Sequence, residues 1–125
     1  MSGFVHLHVH SEYSLLDGAS RISDIPKKAK ANGQKAIALT DHGVMYGVVD
    51  FYKACLEEGI KPILGCEVYT APRGRFQKES GIDSQMGHLV LLAQNNTGYK
   101  NLMKIVSTGF TEGFYYKPRV DFEVL

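Results

Sequence analysis

Three histidines occupy alternate positions near the amino terminus, in the run FVHLHVHSEYSLLDG at residues 4–18. Residues i, i+2 and i+4 of a strand share one face, so we expect His6, His8 and His10 to project together at spacings of about 6 to 7 Å. Imidazole nitrogens of this kind bind transition-metal ions at about 2.0 to 2.1 Å. The spacing therefore predicts a metal centre that His8 and His10 enter, with Asp17 as a nearby carboxylate ligand.

Three further candidate ligands lie at the ends of later apolar runs, namely His42, Glu67 and His88. The carboxyl ends of parallel strands meet at one rim of a βα fold, so we expect His42 and Glu67 to approach His8 and His10 there. His88 precedes its run and would lie at the opposite rim unless that strand begins earlier. Burying so many ionisable groups without an ion would cost some kcal/mol for each, which favours a shared metal centre.

Other polar residues near these candidates have structural interpretations. His6 lies deeper along the first run, and both a role in orienting a ligand and a plain core position stay open. Asp41 should point away from the face of His42, which excludes a catalytic triad of adjacent residues. We expect the Asp41 carboxylate to accept hydrogen bonds from the following turn, where Gly43 relieves backbone strain.

The remaining reactive and basic residues do not predict a site. Cys55 and Cys66 are expected to be small core residues rather than a disulfide or a zinc knuckle. The motifs G-x-x-x-x-G-K and G-x-G-x-x-G are both absent, so no phosphate-binding loop is predicted. A short basic stretch is interpreted as a solvated helix face and consists of Lys27, Lys28, Lys30 and Lys35.

Composition limits the class of protein. The chain has 125 residues, 44% of them apolar, and a formal charge of +1. These values indicate a packed domain and argue against disorder and against a module that binds nucleic acid mainly by neutralising phosphates. No apolar run reaches the roughly 18 residues of a membrane span, and no signal peptide is recognisable, so we expect no membrane contact and a cytoplasmic location.

Strands and helices are expected to alternate. Apolar runs predict strands at 4–9, 35–40, 61–71 and 88–93, and amphipathic patterns predict helices at 24–32, 46–58 and 97–108. The order indicates an α/β fold with a parallel sheet, either open or closed into a barrel. A closed barrel needs about 250 residues, so we expect residues 1–125 to be part of a larger one. Residues 72–87 are predicted to form a mobile surface loop, and Asp121 to cap a further helix.

Five segments resemble the amino-terminal PHP (polymerase and histidinol phosphatase) domain of the bacterial DNA polymerase III alpha-subunit family. They are HLHVHSEYSLLDG, ALTDHG, FYKACLEEGIKPILGCEVY, HLVLLAQNNTGYKNL and EGFYYKPRVD. The first two are shared by PHP domains in general, whereas the later three resemble the polymerases specifically. The resemblance covers nearly the whole chain.

The resemblance implies a distorted (β/α)7 barrel, of which residues 1–125 form the amino-terminal part, with up to three divalent ions at its rim. Zinc, manganese and iron all suit histidine and carboxylate ligands. By the motif pattern of the family, catalysis runs through metal ligands that are His8, His10, Asp17, His42, Glu67 and His88. The family's later histidine and its Asp-x-His motif lie beyond residue 125, so we expect each ion to lack one ligand within this chain.

The resemblance also implies an activity. We expect an enzyme of DNA replication, a nucleotidyltransferase with a second, hydrolytic phosphoesterase site that acts as a 3′–5′ proofreading exonuclease on the primer 3′ end. Its partners would be DNA and the remainder of the polymerase chain. Two alternatives stay open: a structural domain that stabilises the polymerase and docks a separate exonuclease subunit, and a stand-alone metal-dependent phosphatase.

Overall fold

The computed structural model describes residues 3–125, which form three helices and four strands. One of the four strands is long and lies at the centre of the sheet. The helices are α1 (Asp24–Ala31), α2 (Val48–Glu58) and α3 (Asn96–Thr111). The strands are β1 (Ala36–Leu39), β2 (Lys61–Thr70), β3 (Gly87–Leu92) and β4 (Arg119–Val120). The α/β class is confirmed, and the three predicted helices are present within three residues of their expected ends.

β2 is the central strand and pairs on both of its edges. β1 runs parallel to its first half, with Ala36 opposite Lys61, and the two-residue β4 runs parallel to its last residues. β3 pairs with the second half of β2, and Tyr69 of β2 contacts both β3 and β4. β1 and β4 therefore follow one edge of β2, while β3 lies along the other.

The direction of β3 differs from the sequence prediction, because β3 is antiparallel to β2. Parallel neighbours require a crossover that is usually a helix, whereas antiparallel neighbours need only a loop. Residues 71–86, which join the two strands, contain no helix. The reversal places His88 opposite Tyr69, near the carboxyl end of β2. His88 therefore lies at the rim formed by the carboxyl end of β2, whereas in a parallel β3 it would lie at the opposite rim.

The first predicted strand, at 4–9, is not a regular strand, although its backbone lies beside β1. The Ala38 N–H donates to the His6 carbonyl at 3.0 Å, and the Thr40 N–H donates to the Val9 carbonyl at 2.8 Å. His6 and Val9 are three residues apart, whereas their partners Ala38 and Thr40 are two residues apart. The first segment therefore has one extra residue relative to the chain that it pairs with. Such an extra residue interrupts the ladder and reverses the alternation of side chains before it.

The core consists of two apolar clusters. The first packs α1 and α2 against β1 and includes Phe51 and Cys55, both fully buried. The second packs α3 against β2 and includes Cys66. Both cysteines are free, as the sequence predicted. Burial raises the pKa of Cys55 to about 11 and, together with the nearby Asp41 carboxylate, that of Cys66 to about 12, so both thiols stay protonated at neutral pH.

A buried carboxylate ties the amino-terminal segment to the end of β1. Asp41 is 1% exposed and accepts hydrogen bonds from the Ser11 N–H at 2.6 Å and from the Ser11 and Ser14 hydroxyls at 2.7 Å. The expectation that Asp41 serves the following turn is therefore wrong, because its side chain points to the face covered by residues 11–14. The Ser14 hydroxyl also accepts from the His42 N–H at 3.0 Å.

Arg119 holds the long connection between β2 and β3. Its side chain is fully buried, and its guanidinium donates to four backbone carbonyls at 2.8 to 3.2 Å. Three of these carbonyls belong to residues 75, 77 and 83 of the connection, and the fourth to Gly113. Residues 72–87 lie on the surface as predicted, but this anchoring differs from the freely mobile loop that the composition suggested.

The basic stretch matches the sequence analysis, whereas the helix expected after Asp121 is absent from residues 3–125. The four lysines of the basic stretch are exposed, and one of them, Lys30, lies 3.7 Å from Glu58. The Asp121 carboxylate accepts from the Val124 N–H at 3.1 Å, as a capping residue does, although a turn rather than a helix follows. Within residues 3–125, no helix has the length and apolarity needed to span a membrane.

Replacing Arg119 should loosen the connection between β2 and β3. Arg119→Met leaves four carbonyls without their donor, and we expect the free energy of unfolding to fall by about 3 kcal/mol or more. Urea denaturation measures the loss. The exposed Arg21, changed to Met, is the matched control and should change stability by less than about 0.5 kcal/mol. Equal stabilities for the two variants would contradict the anchoring role.

Removing the charge of Asp41 should weaken the junction between residues 11–14 and β1. In Asp41→Asn an amide nitrogen replaces one accepting oxygen, and we expect unfolding to become easier by about 2 kcal/mol. Asp50→Asn, on the exposed surface of α2, is the control for loss of a carboxylate. Urea midpoints compare the two, and a smaller loss at Asp41 than at Asp50 would show that the buried carboxylate does not hold the junction.

Candidate metal centre

Three imidazoles converge on one carboxylate oxygen at the end of β2. Glu67 is 6% exposed, and its Oε2 lies 2.8 Å from His8 Nε2 and 2.6 Å from His10 Nε2. His42 Nδ1 lies 3.4 Å from the same oxygen. Residues far apart in the sequence therefore place four metal-binding side chains within a few ångströms.

Backbone pairing fixes the positions of these side chains. His42 lies three residues after the end of β1 and forms a parallel bridge with Glu67, which prolongs the pairing of β1 with β2. The Glu67 N–H donates to the Asp41 carbonyl, and the Gly43 N–H donates to the Glu67 carbonyl, both at 2.9 Å. Gly43 adopts a left-handed φ of 65°, as expected, and a Cβ there would lie 3.0 Å from the Tyr69 ring.

A second group of ligands adjoins the first. Asp17 Oδ2 lies 2.8 Å from His42 Nε2, and the rings of His10 and His42 are 4.0 Å apart. Two sets of three potential ligand atoms result, each with all atoms within 4.8 Å of one another: His8, His10 and Glu67, and His10, Asp17 and His42. His10 belongs to both sets, so the geometry resembles adjacent ion sites that share a ligand.

The electrostatics of Glu67 suit a cation. Burial opposes ionisation of its carboxyl, but hydrogen bonds from His8 and His10 and the nearby His42 outweigh burial, so the pKa of Glu67 is lowered. The carboxylate is consequently charged at neutral pH. Burial also raises the pKa of Tyr69, assisted by the negative charges of Asp17 and Glu67.

The donor set fits a divalent transition metal. His42 Nδ1 is buried and has no hydrogen-bond partner within residues 3–125, although the Glu67 carboxylate is close. A neutral imidazole offers a lone pair at one ring nitrogen, and a buried lone pair beside a carboxylate is what an ion such as zinc, manganese or iron requires. His8, His10, Asp17 and Glu67 supply the other donors.

Two histidines lie outside the three-ligand sets. The His88 ring is 5.7 Å from that of His42, at the same rim, but exposed. The His6 ring packs edge-on against Phe4 at 4.7 Å and is also exposed, so it does not lie in the core. It lines a groove with Val9 and Ala29 of α1 that His8 does not line. The extra residue between His6 and Val9 explains why the expected common face is lost.

The sequence analysis missed residues that position the ligands. Ser14 joins Asp41 to the His42 backbone, and Tyr69 lies against the His42 ring, nearly parallel to it at 6.0 Å. The spacing of Tyr69 from Glu67, two residues along one strand, was the available signal, because such residues share a face. Ser14 offers no comparable signal, since its role depends on the fold of residues 11–14.

Comparison with curated proteins finds that the chain is similar to part of several DNA polymerase III alpha subunits. Three DNA polymerase III alpha subunits are 57%, 54% and 48% identical to it, from Treponema pallidum, Borreliella burgdorferi and Aquifex aeolicus. The alignments cover 98%, 96% and 98% of this chain but 10%, 10% and 11% of those proteins. The chain thus spans about a tenth of the length of the curated relatives it matches.

Solved structures support the same fold. An amidohydrolase from Chromobacterium violaceum, with bound sulfate and no metal, superposes with a TM-score of 0.56 at 26% identity, over 83% of this chain and 34% of that one. A protein from Bifidobacterium adolescentis, proposed to be a metal-dependent phosphoesterase, gives 0.57 at 17% identity, over 86% and 35%. The PHP domain model matches residues 6–125, which include all the candidate ligands. This match covers nearly the whole chain, so the chain belongs to the PHP domain family.

Proposed function

We propose that this chain carries a metal-dependent phosphoesterase centre, and that it removes nucleotides from the 3′ end of DNA as the proofreading 3′–5′ exonuclease of a DNA polymerase III alpha subunit. The convergence of His8, His10 and His42 on Glu67 supports this proposal most directly. Within it, Glu67, His10 and His42 are largely shielded from water, and burying these three together would be costly without a cation. The relatives supply the DNA context, since they are replicative polymerases.

The ligands divide between two ions in this proposal. His8, His10 and Glu67 would hold the first, and Asp17 and His42 would hold the second with His10, the residue common to both sets. The family resemblance implies that Glu67 would serve both ions. His88 would extend the set at the rim, as the family resemblance implies. In the complete domain we expect up to three ions of zinc, manganese or iron.

Bound ions of this type supply a hydroxide near neutral pH and neutralise charge on the phosphate that is attacked. The chain's own residues prepare the centre. The Glu67 carboxylate is already ionised, and its backbone is held by hydrogen bonds with the Asp41 carbonyl and the Gly43 N–H. Asp17, whose side chain is 59% exposed, lies with its Oδ2 2.8 Å from His42 Nε2 on the solvent side, where a DNA end can approach.

We expect the chain to act in the cytoplasm as part of the polymerase, with a primer 3′ end as its substrate. The rival function is structural: the domain would stabilise the polymerase and dock a separate exonuclease subunit. A stand-alone phosphatase is the third possibility. The effect of chelators and the choice of substrate distinguish these three functions.

Metal binding should depend on His10, the ligand common to both sets. In calorimetric titration with Mn²⁺ or Zn²⁺, His10→Ala should lower affinity by about 100-fold or more, and His6→Ala, outside the centre, by less than about twofold. Binding should also weaken as the pH is lowered, because metal ligands must be deprotonated to bind an ion. The lowered pKa of Glu67 keeps its carboxylate charged at neutral pH.

Hydrolysis should follow metal binding. The metal-loaded chain should shorten a mismatched primer from its 3′ end, and His10→Ala and EDTA should each abolish this activity, with His6→Ala as the active control. Trimming by His10→Ala at the control rate would contradict the proposal. Failure of the loaded wild type to cleave any ester, with stability unchanged by EDTA, would favour the structural role. Cleavage of a chromogenic monoester alone would favour the phosphatase.

A further inference from the structure

Lys117 lies beside the candidate metal centre, in the turn between α3 and β4. Its Nζ is 6.0 Å from the centroid of the Tyr69 ring and lies over that ring. Tyr69 in turn lies nearly parallel to the ring of His42 and packs edge-on against His88 at 5.1 Å. The ammonium therefore contacts the centre through one aromatic side chain.

The turn that carries Lys117 has an unusual backbone. Tyr116 has a φ of 62°, in the left-handed region that residues with a side chain rarely adopt, and the Tyr115 N–H donates to the Lys117 carbonyl at 3.0 Å. Pro118 follows and packs so closely on the loop after His42 that a Cβ on Gly43 would lie 3.1 Å from Pro118 Cγ. Strained residues of this kind concentrate at functional sites.

The position of Lys117 is also fixed from its other side. Two residues later, Arg119 is fully buried and donates to four carbonyls. A lysine between a close-packed proline and a rigid turn loses less backbone entropy on binding a ligand than one on a free loop. Lys117 is thus an exposed cation on an ordered support.

The charge of Lys117 is not neutralised by the protein. Within residues 3–125 its ammonium has no carboxylate oxygen within 4.0 Å, and its contact is the Tyr69 ring. The acidic groups of the rim are engaged elsewhere: Glu67 contacts His8 and His10, and Asp17 contacts His42. An exposed ammonium held next to a phosphoester-cleaving centre is a suitable point charge for a phosphate oxygen.

We propose that Lys117 binds the phosphate next to the one that is cleaved, which makes the substrate a nucleic-acid strand rather than a small single-phosphate ester. This inference rests on the proposed phosphoesterase function. The Lys117 ammonium contacts Tyr69 rather than His42, so it lies away from the metal ligands. This position suits it to a neighbouring phosphate. A small ester offers no second phosphate and would not use it.

Binding of a fluorescein-labelled thymidine oligonucleotide to the Mn²⁺-loaded chain tests the proposal by anisotropy over a series of salt concentrations. At about 50 mM salt, Lys117→Gln should weaken binding about fivefold and reduce the slope of log affinity against log salt by about 0.7, the value for one phosphate contact with a single strand. Lys117→Arg should keep wild-type affinity within about twofold, because it retains the charge. Lys100→Gln, on the exposed surface of α3, is the matched control and should behave like wild type.

A second substrate separates this inference from the function on which it rests. The KM for bis(p-nitrophenyl) phosphate, which has one phosphate, should be the same for Lys117→Gln and wild type. An unchanged oligonucleotide affinity and salt slope in Lys117→Gln would overturn the inference, and so would an equal loss with both substrates. If the wild type hydrolyses both substrates, the proposed function holds whichever of these two results Lys117→Gln gives. Oligonucleotide binding that depends on Lys117 without any hydrolysis would instead count against the proposed function alone.

Discussion

A carboxylate that has lost most of its water stays ionised only if hydrogen-bond donors or positive charge replace that water. Glu67 is in this position, near the end of the central strand, and three imidazoles surround its Oε2. The fold supplies them from two separate segments that both lie next to β1. The pairing of β1 with β2, continued by the bridge between His42 and Glu67, is therefore the framework on which the centre depends.

The polar residues that hold this framework are buried rather than exposed. Asp41 fastens residues 11–14 to the end of β1 through two serines, and Arg119 fastens the connection before β3 through four carbonyls. Each satisfies several backbone or hydroxyl groups at once, as buried polar groups must. Apart from Glu67 in β2, the ligands of the two sets thus lie on segments with little regular secondary structure that are nevertheless fixed. The turn with Lys117 belongs to the same system, because Pro118 packs against Gly43.

The sequence predicted the helices, three of the strands and the convergence of His42 and Glu67 with His8 and His10, because period-two and period-3.6 patterns are local and strand ends meet at a common rim. It did not predict that β3 reverses or that an extra residue before Val9 turns His6 away. The antiparallel direction of β3 could have been predicted, because the connection at 71–86 has no helical pattern. The extra residue before Val9 could not, because it depends on pairing with β1 that no local pattern encodes. The partners of Asp41 and Arg119 were likewise inaccessible, since both are tertiary hydrogen bonds between distant segments.

The central claim is that these side chains form one cation-binding centre, and anomalous diffraction from crystals of the chain soaked in Mn²⁺ tests it most directly. We expect one anomalous peak within bonding distance of His8, His10 and Glu67 and another beside Asp17 and His42. The account would be contradicted if Mn²⁺ fully occupied sites elsewhere on the surface and gave no anomalous peak between Glu67 and its three histidines.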